Sequence, residues 1–296
     1  MKIIDIIQLL ILAGLWGGSF LFLRIAAPII GPIWLIEIRV LLAGLVLLLF
    51  TIYFQLLGEI RRNIIPIMVI GCIGTAIPFV LFAFASQFLP SGFNSILNAT
   101  SPLFGTVVAS IWLKEKLTIN RIVGLIIGFA GVVIIVGWKN FVITQSFVYS
   151  VSGAFLAAFL YAVAAPYAKK HLSEVSALAI ATGNLLSAAI ILLPLMPFTV
   201  PTQLPTTTVI FAVIVLSLFS TACSYILYFR LLNSVGATKS LTVTYLIPVF
   251  AMIWGKIFLQ EEITQSMIFG CSLILLGTAI INDLFTGLFN KKLDEN

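Results

Sequence analysis

The sequence predicts an all-α integral membrane protein of ten transmembrane helices, set as two inverted repeats of five. Three observations carry this. Apolar residues make up 61% of 296 and charged residues only 9%, whereas a soluble domain carries roughly 25% charged residues, so lipid must be the solvent. The chain divides into ten apolar runs, each near the ~20 residues that a helix needs to cross a bilayer. Finally, a block of sequence near residue 102 returns 146 residues later without a gap.

The runs are residues 5–26, 33–55, 64–86, 91–113, 120–138, 148–168, 175–195, 207–230, 237–258 and 265–286. The first resembles a signal peptide, with a lysine and then an apolar stretch. Asp5 and Gln8 interrupt its start, and cleavage would remove a span that the repeat needs, so it reads as an uncleaved helix. The later breaks fall at Pro32, Glu59 to Arg62, Pro90-Ser91-Gly92, Lys114-Glu115-Lys116, Trp138-Lys139, Lys169-Lys170, Pro197 to Pro205, Ser234-Val235-Gly236 and Glu261-Glu262.

The repeat pairs Pro102, Phe104, Ile111, Leu113, Glu115, Thr118, Ile122 and Gly124 with Pro248, Phe250, Ile257, Leu259, Glu261, Thr264, Ile268 and Gly270. Leu103 and Val249 differ. Thr75-Ala76 and Thr221-Ala222 extend the match upstream, as do Gly131 and Gly277 downstream. The fourth span thus maps on the ninth, and the chain divides into halves at residues 1–141 and 142–296. Five spans is an odd number, so the halves enter the membrane from opposite sides. Such a pair can pack in two related ways, one open to each face, with a substrate site near the midplane.

Lysine and arginine set the orientation. With the N-terminus in the cytoplasm, 12 of the 16 basic residues lie at cytoplasmic ends: Lys2, Arg61, Arg62, Lys114, Lys116, Arg121, Lys169, Lys170, Arg230, Lys239, Lys291 and Lys292. Arg24, Lys139 and Lys256 lie opposite, and Arg39 lies inside a span. Both termini are therefore expected in the cytoplasm, in a plasma or inner membrane. The basic residues form no single face, so the net charge of +6 implies no nucleic-acid partner.

With these features in place, the chain resembles the EamA-type branch of the drug/metabolite transporter superfamily. The resemblance rests on Trp16-Gly17, on Arg39-Val40-Leu41-Leu42-Ala43-Gly44, on Ala158 to Ala162, and on the doubled Pro-x-Phe…Leu-x-Glu-x-x-Thr…Gly block. It covers nearly the whole chain. It implies a ten-helix inner-membrane carrier, typically an exporter of amino acids or other small metabolites. Asn184 stands near the position that should match Arg39, so a role for Arg39 is confined to one half.

The polar residues within spans give the candidate site. Ser91, Asn94, Asn98 and Ser101 share one helix face. In the second half Ser240 and Thr244 take the places of Asn94 and Asn98. Such a stripe lines a cavity or bonds to a neighbouring helix. Pro102 and Pro248 follow the stripes and are hinge candidates, since proline leaves a carbonyl unpaired one turn earlier. Glu37 and Arg39 are charges inside a span, where each costs about 2.5–3.5 kcal/mol at a helix centre. Glu37 is a candidate proton acceptor and Arg39 a candidate anchor for a substrate carboxylate. The alternative is a pair that snorkels outward or bonds to another helix. Trp16, Tyr161, Tyr225 and Tyr228 are candidate aromatic walls, with Phe79 and Phe82 as counterparts of the last two. Glu115 and Glu261 read as structural, each just ahead of a helix that Thr118 or Thr264 caps. Gly14 with Gly18, and Gly124 with Gly128, read as close helix contacts inside the bundle.

Other chemistries lack their residues. His171 is the only histidine, and Cys72, Cys223 and Cys271 have no ligand spacing. No metal or other cofactor is expected. There is no phosphate-binding loop for ATP. An enzyme acting on lipid would need a nucleophile with a base or a metal cluster, and a channel a ring of equivalent groups. The expected partners are a small-molecule substrate, the bilayer and, as a candidate coupling ion, protons. An efflux carrier for drugs or toxic compounds is the alternative within the same fold. Monomer and homodimer stay open.

Overall fold

The computed structural model describes residues 2–112, 114, 117–137, 144–240 and 242–282. Leu113, Glu115, Lys116, Trp138, Lys139, Lys291 and Lys292, used above, lie outside them. Among the described residues the spans return as Ile3–Ile30, Pro32–Tyr53, Ile64–Ala85, Ser91–Asn98 with Ser101–Trp112, Ile119–Gly137, Gln145–His171, Ala177–Leu192, Thr207–Val235, Ala237–Ser240 with Val243–Leu259, and Gln265–Ile281. They are numbered spans 1 to 10. A short helix, Leu57–Arg62, lies between spans 2 and 3.

Local chemistry sets the ends. Gly31 takes φ +77° between spans 1 and 2, a conformation that suits a residue without Cβ, and Pro32 opens span 2 where no amide is needed. Thr144, Ser176, Thr206 and Thr264 cap spans 6, 7, 8 and 10, each hydroxyl accepting the amide three residues on. Thr118 accepts from the Arg121 amide at span 5 in the same way.

Spans 4 and 9 are not the continuous helices that the hydropathy predicts. Span 4 stops after Asn98, and Pro102 stands just inside its second piece. The Thr100 and Ser101 hydroxyls donate to the Leu97 and Asn98 carbonyls at 2.6 and 2.7 Å, satisfying backbone acceptors at the break. Span 9 breaks earlier, after Ser240, and Pro248 sits inside its longer piece. The two prolines are equivalent in sequence but not in setting.

Spans 3 and 8 each contain a π-helical turn, at Cys72–Ala76 and Leu218–Cys223. The two turns coincide under the 146-residue repeat, and π-turns often mark functional sites.

The helices pack in pairs that the repeat exchanges. Span 5 packs on span 10, and span 2 on span 7. Span 1 packs on span 9 as span 6 packs on span 4, and span 3 on span 6 as span 8 on span 1. Each half crosses the membrane five times, so halves exchanged in this way run in opposite directions. The contact of spans 5 and 10 is glycine on glycine. A Cβ on Gly124 would meet the Gly277 carbonyl at 2.6 Å, and one on Gly131 the Gly270 carbonyl at 2.7 Å. Gly14 and Gly18 lie against Phe250 and Trp254 of span 9, and the Trp254 indole donates to the Gly14 carbonyl at 3.0 Å. Both small-residue pairs therefore serve contacts within the bundle. Leu35, Ile36, Phe93, Ile96 and Leu97 are fully buried at its centre, while Leu49, Ile126, Phe211 and Phe269 are exposed on its outside, where lipid would meet them.

Candidate functional site

A hollow of about 260 Å³ lies where the halves meet. Span 1 contributes Trp16, Ser19 and Phe20; span 2 contributes Arg39; span 3 contributes Phe79 and Phe82; span 4 contributes Asn98. From the second half come Tyr161 of span 6, Ser220, Thr221 and Tyr225 of span 8, and Ile247 of span 9.

Arg39 is buried, at 7% exposure. Its Nε donates to the Thr221 hydroxyl at 2.9 Å, and its guanidinium carbon lies 4.1 Å from the centre of the Phe79 ring. A desolvated cation over a ring gains about 2 kcal/mol, which offsets part of the insertion cost. The Thr221 hydroxyl donates in turn to the Leu216 carbonyl, five residues back. Such a reach belongs to a π-turn, and the turn thereby aims the hydroxyl oxygen at Arg39.

The equivalent position in the first half is Thr75, also in a π-turn. Its hydroxyl donates to Asn184 Oδ1 at 2.7 Å. Arg39 of span 2 thus meets the threonine of span 8, and Asn184 of span 7 meets the threonine of span 3. One pair carries a charge and the other does not.

A second hollow, of about 210 Å³, adjoins the first, since Asn98 and Tyr161 line both. Ser101, Pro102, Thr244, Tyr245 and Thr278 are also in its wall. The stripe expected on spans 4 and 9 is therefore divided. Asn98, Ser101 and Thr244 reach a hollow. Asn94 instead donates to the Phe82 carbonyl and the Ser86 hydroxyl at 2.9 and 2.8 Å, and Ser240 to the Gly236 carbonyl at 2.8 Å; neither lines either hollow. Trp16, Tyr161 and Tyr225 form walls, whereas Tyr228 stands behind, its ring 5.4 Å from that of Trp16. Glu37 is 2% exposed and lines neither hollow, and its Oε2 has no hydrogen-bond partner among the described residues.

Ser19, Ser220, Thr221 and Phe79 were not singled out by the sequence as site residues. For Thr221 the signal was present in the doubled Thr-Ala pair. Ser19 carries none, being an isolated serine in an apolar run, and Ser220 stands directly before that pair, between Ser217 and Ser224.

At one end of the bundle the halves are joined by a polar cluster. Glu261 Oε2 accepts from the Ser91 amide at 2.9 Å, and Oε1 from the Ser91 hydroxyl at 3.3 Å. Arg24 Nε lies 3.8 Å from Glu261 Oε1, and its Nη1 donates to the Ser86 and Gln87 carbonyls. Burial pushes the Glu261 carboxyl above the usual carboxylate range, against the lowering pull of Ser91 and Arg24. Gly255 permits the approach, because a Cβ there would collide with Glu261 Oε2. Glu261 is structural as expected, but it serves the start of span 4, in the other half, rather than the helix it precedes.

The sequence pattern of the EamA-like transporter family matches residues 4–137 and again residues 148–283. An "Uncharacterized transporter" of Archaeoglobus fulgidus is 24% identical over 269 residues, covering 90% of this chain and 94% of that one. A "Probable terminal-alkyne amino-acid exporter" of Streptantibioticus cattleyicolor is 22% identical over 275 residues, covering 90% and 89%. A solved crystal structure superposes with a TM-score of 0.67 at 17% identity, covering 95% of this chain and 98% of the other, which supports the fold.

Proposed function

This chain belongs to the EamA-like transporter family, a transporter family rather than an enzyme family, and on that footing we propose that it is a secondary carrier of small metabolites. It exports amino acids or related carboxylates across the plasma or inner membrane, with both termini in the cytoplasm. The observation that carries this reading is the Arg39 hollow. It lies between the two halves, it is polar only in part, and its walls come from both repeats. Two packings of exchangeable halves would open such a hollow to each face in turn. The relative named as an amino-acid exporter supports the direction and the cargo class.

Glu37 is the candidate proton acceptor. It is buried among the spans without a hydrogen-bond partner for Oε2 among the described residues, and a proton is the simplest ligand for such an oxygen. Gln at this position would remove any dependence of transport on a pH gradient; a gradient dependence left intact would exclude Glu37 as the coupling site.

The test is uptake of a labelled metabolite extract into inverted vesicles from cells with and without the protein. A carrier gives saturable uptake of a defined set of carboxylate-bearing compounds. Flux that stays linear with concentration, or no difference between the two membranes, would contradict it.

A further inference from the structure

From the charge balance of the central hollow, we infer that it selects a small organic acid of net charge −1, and that an ammonium group on the cargo weakens binding. This rests on the carrier reading and ranks its cargo: among the carboxylates, amino acids would be the weaker ligands and acids without an ammonium the stronger.

The hollow is cationic and uncompensated. Arg39 is the only charged side chain among its described lining residues, which include no aspartate or glutamate. Arg39 makes no ion pair among the described residues. Its Nε is taken by Thr221 and one face by Phe79, while its two terminal nitrogens donate to no described residue. A guanidinium offers five donors in a planar fork that matches a carboxylate. Leaving most of that fork unpaired in a low-dielectric site is costly, and a carboxylate is the group that satisfies it in two parallel bonds.

Two further groups lack partners. Ser19 and Ser220 are 6% and 1% exposed and both line the hollow, while their hydroxyl oxygens are turned into the wall, buried and without a hydrogen-bond partner among the described residues. A turn about χ1 would bring either hydroxyl, with one donor and two acceptor lone pairs, to a hydroxyl or oxo group on the cargo. The remaining wall is mostly aromatic, with Asn98, Thr221, Leu23 and Ile247 between the rings. An engineered cavity of roughly 150 Å³ already admits benzene, so about 260 Å³ holds a ring with a carboxylate arm.

An α-amino acid fits less well. Its carboxylate would pair with Arg39, but its ammonium would lie within a few ångströms of the same guanidinium. No carboxylate on the wall would receive it, and the neutral groups there (the Asn98 amide, the Tyr161 and Tyr225 phenols and the ring faces) replace water only in part for a full charge beside a second cation. The matching 2-hydroxy acid keeps the carboxylate, places a neutral hydroxyl where the ammonium stood, and leaves the complex neutral overall.

Three probes of one shape decide this: 3-phenyllactate, phenylalanine and phenethylamine, titrated by calorimetry into the full-length protein in lipid nanodiscs. Phenyllactate should bind about tenfold or more tighter than phenylalanine, as an ammonium desolvated without a partner implies, and phenethylamine should not bind. Arg39→Gln should weaken phenyllactate about 30-fold or more, and Ser19→Ala with Ser220→Ala should erase its advantage over 3-phenylpropionate. The ranking on the unaltered protein needs no variant to fold. Phenylalanine equal to or tighter than phenyllactate, binding of phenethylamine, or no binding of any probe would overturn the inference. The carrier reading would still stand on the vesicle assay, which scores saturable uptake and not the ranking of these three compounds.

Discussion

Two contacts cross between the halves at the level of the hollow; they share equivalent threonines and differ in the partner, its charge and the direction of the hydrogen bond. In one, Arg39 of span 2 donates to Thr221 of span 8; in the other, Thr75 of span 3 donates to Asn184 of span 7. Both threonines sit in π-turns that the repeat brings into register. Duplication kept the two threonines in their π-turns, while the polar partner from the facing span differs in type and by one position. The neutral pair meets its needs internally and holds two spans together. The charged pair leaves donors over, and those donors face the hollow. A cavity between inverted halves need not be symmetric to be reached from both faces, and a single cation gives the cargo one orientation.

The sharpest way to break this contrast is Arg39→Gln. Truncating one partner of a buried charge pair costs about 2–5 kcal/mol, so carboxylate affinity should fall about 30-fold or more in a binding titration. Asn184→Ala should leave affinity unchanged. The threonines give the next effect. Thr221→Val removes the acceptor that aims Arg39, and affinity should fall about tenfold, as for loss of a hydrogen bond to a charged group. Thr75→Val should instead cost stability, about 0.6 kcal/mol and at most about 1.7, the range for hydrogen bonds between membrane helices, read as a shift in thermal unfolding with affinity preserved. Equal affinity losses at both threonines would end the comparison.

The polar cluster of Glu261 should leave affinity untouched and act on stability alone. Glu261→Gln keeps an acceptor for Ser91 and loses an ion pair whose side chains are 32% and 14% exposed, a pair worth little. Its stability at neutral pH should be near that of the parent, with Glu261→Ala less stable by about 1 kcal/mol. The pH dependence has a definite sign. Burial raises the Glu261 pKa, so the folded protein holds this proton more tightly than the unfolded chain. The stabilisation is complete below the ordinary carboxylate value and fades as pH rises through the raised one. Glu261→Gln should flatten that slope in melting curves; a slope unchanged by the substitution would assign it to another group.

Much of the fold was legible because apolar runs and their charged punctuation fix where helices cross, and because identical residues in register betray duplication. The caps at Thr118 and Thr264 could be read for the same reason: they are local. The π-turns could not, since one extra residue per turn leaves hydropathy unchanged. The break in span 4 was hidden for a related cause, as Thr100 and Ser101 satisfy the freed carbonyls with their own hydroxyls. Helical spacing identified the face holding Asn94 and Asn98 but not what that face meets. Asn98 reaches the hollow, whereas Asn94 is spent on the Phe82 carbonyl and the Ser86 hydroxyl. Arg39 stood out because a charge in lipid needs a reason, while Ser19 and Ser220 matter only through neighbours from distant sequence.

Accessibility at the hollow is the most direct test. With Cys72, Cys223 and Cys271 replaced by serine and Asn98→Cys introduced, a membrane-impermeant thiol reagent is added to one face or the other of oriented vesicles. A hollow that opens alternately predicts labelling from both faces, slowed in each case by an added carboxylate and no longer slowed in the Arg39→Gln background. Labelling from one face only, with no protection by any carboxylate, would contradict a shared site anchored by Arg39.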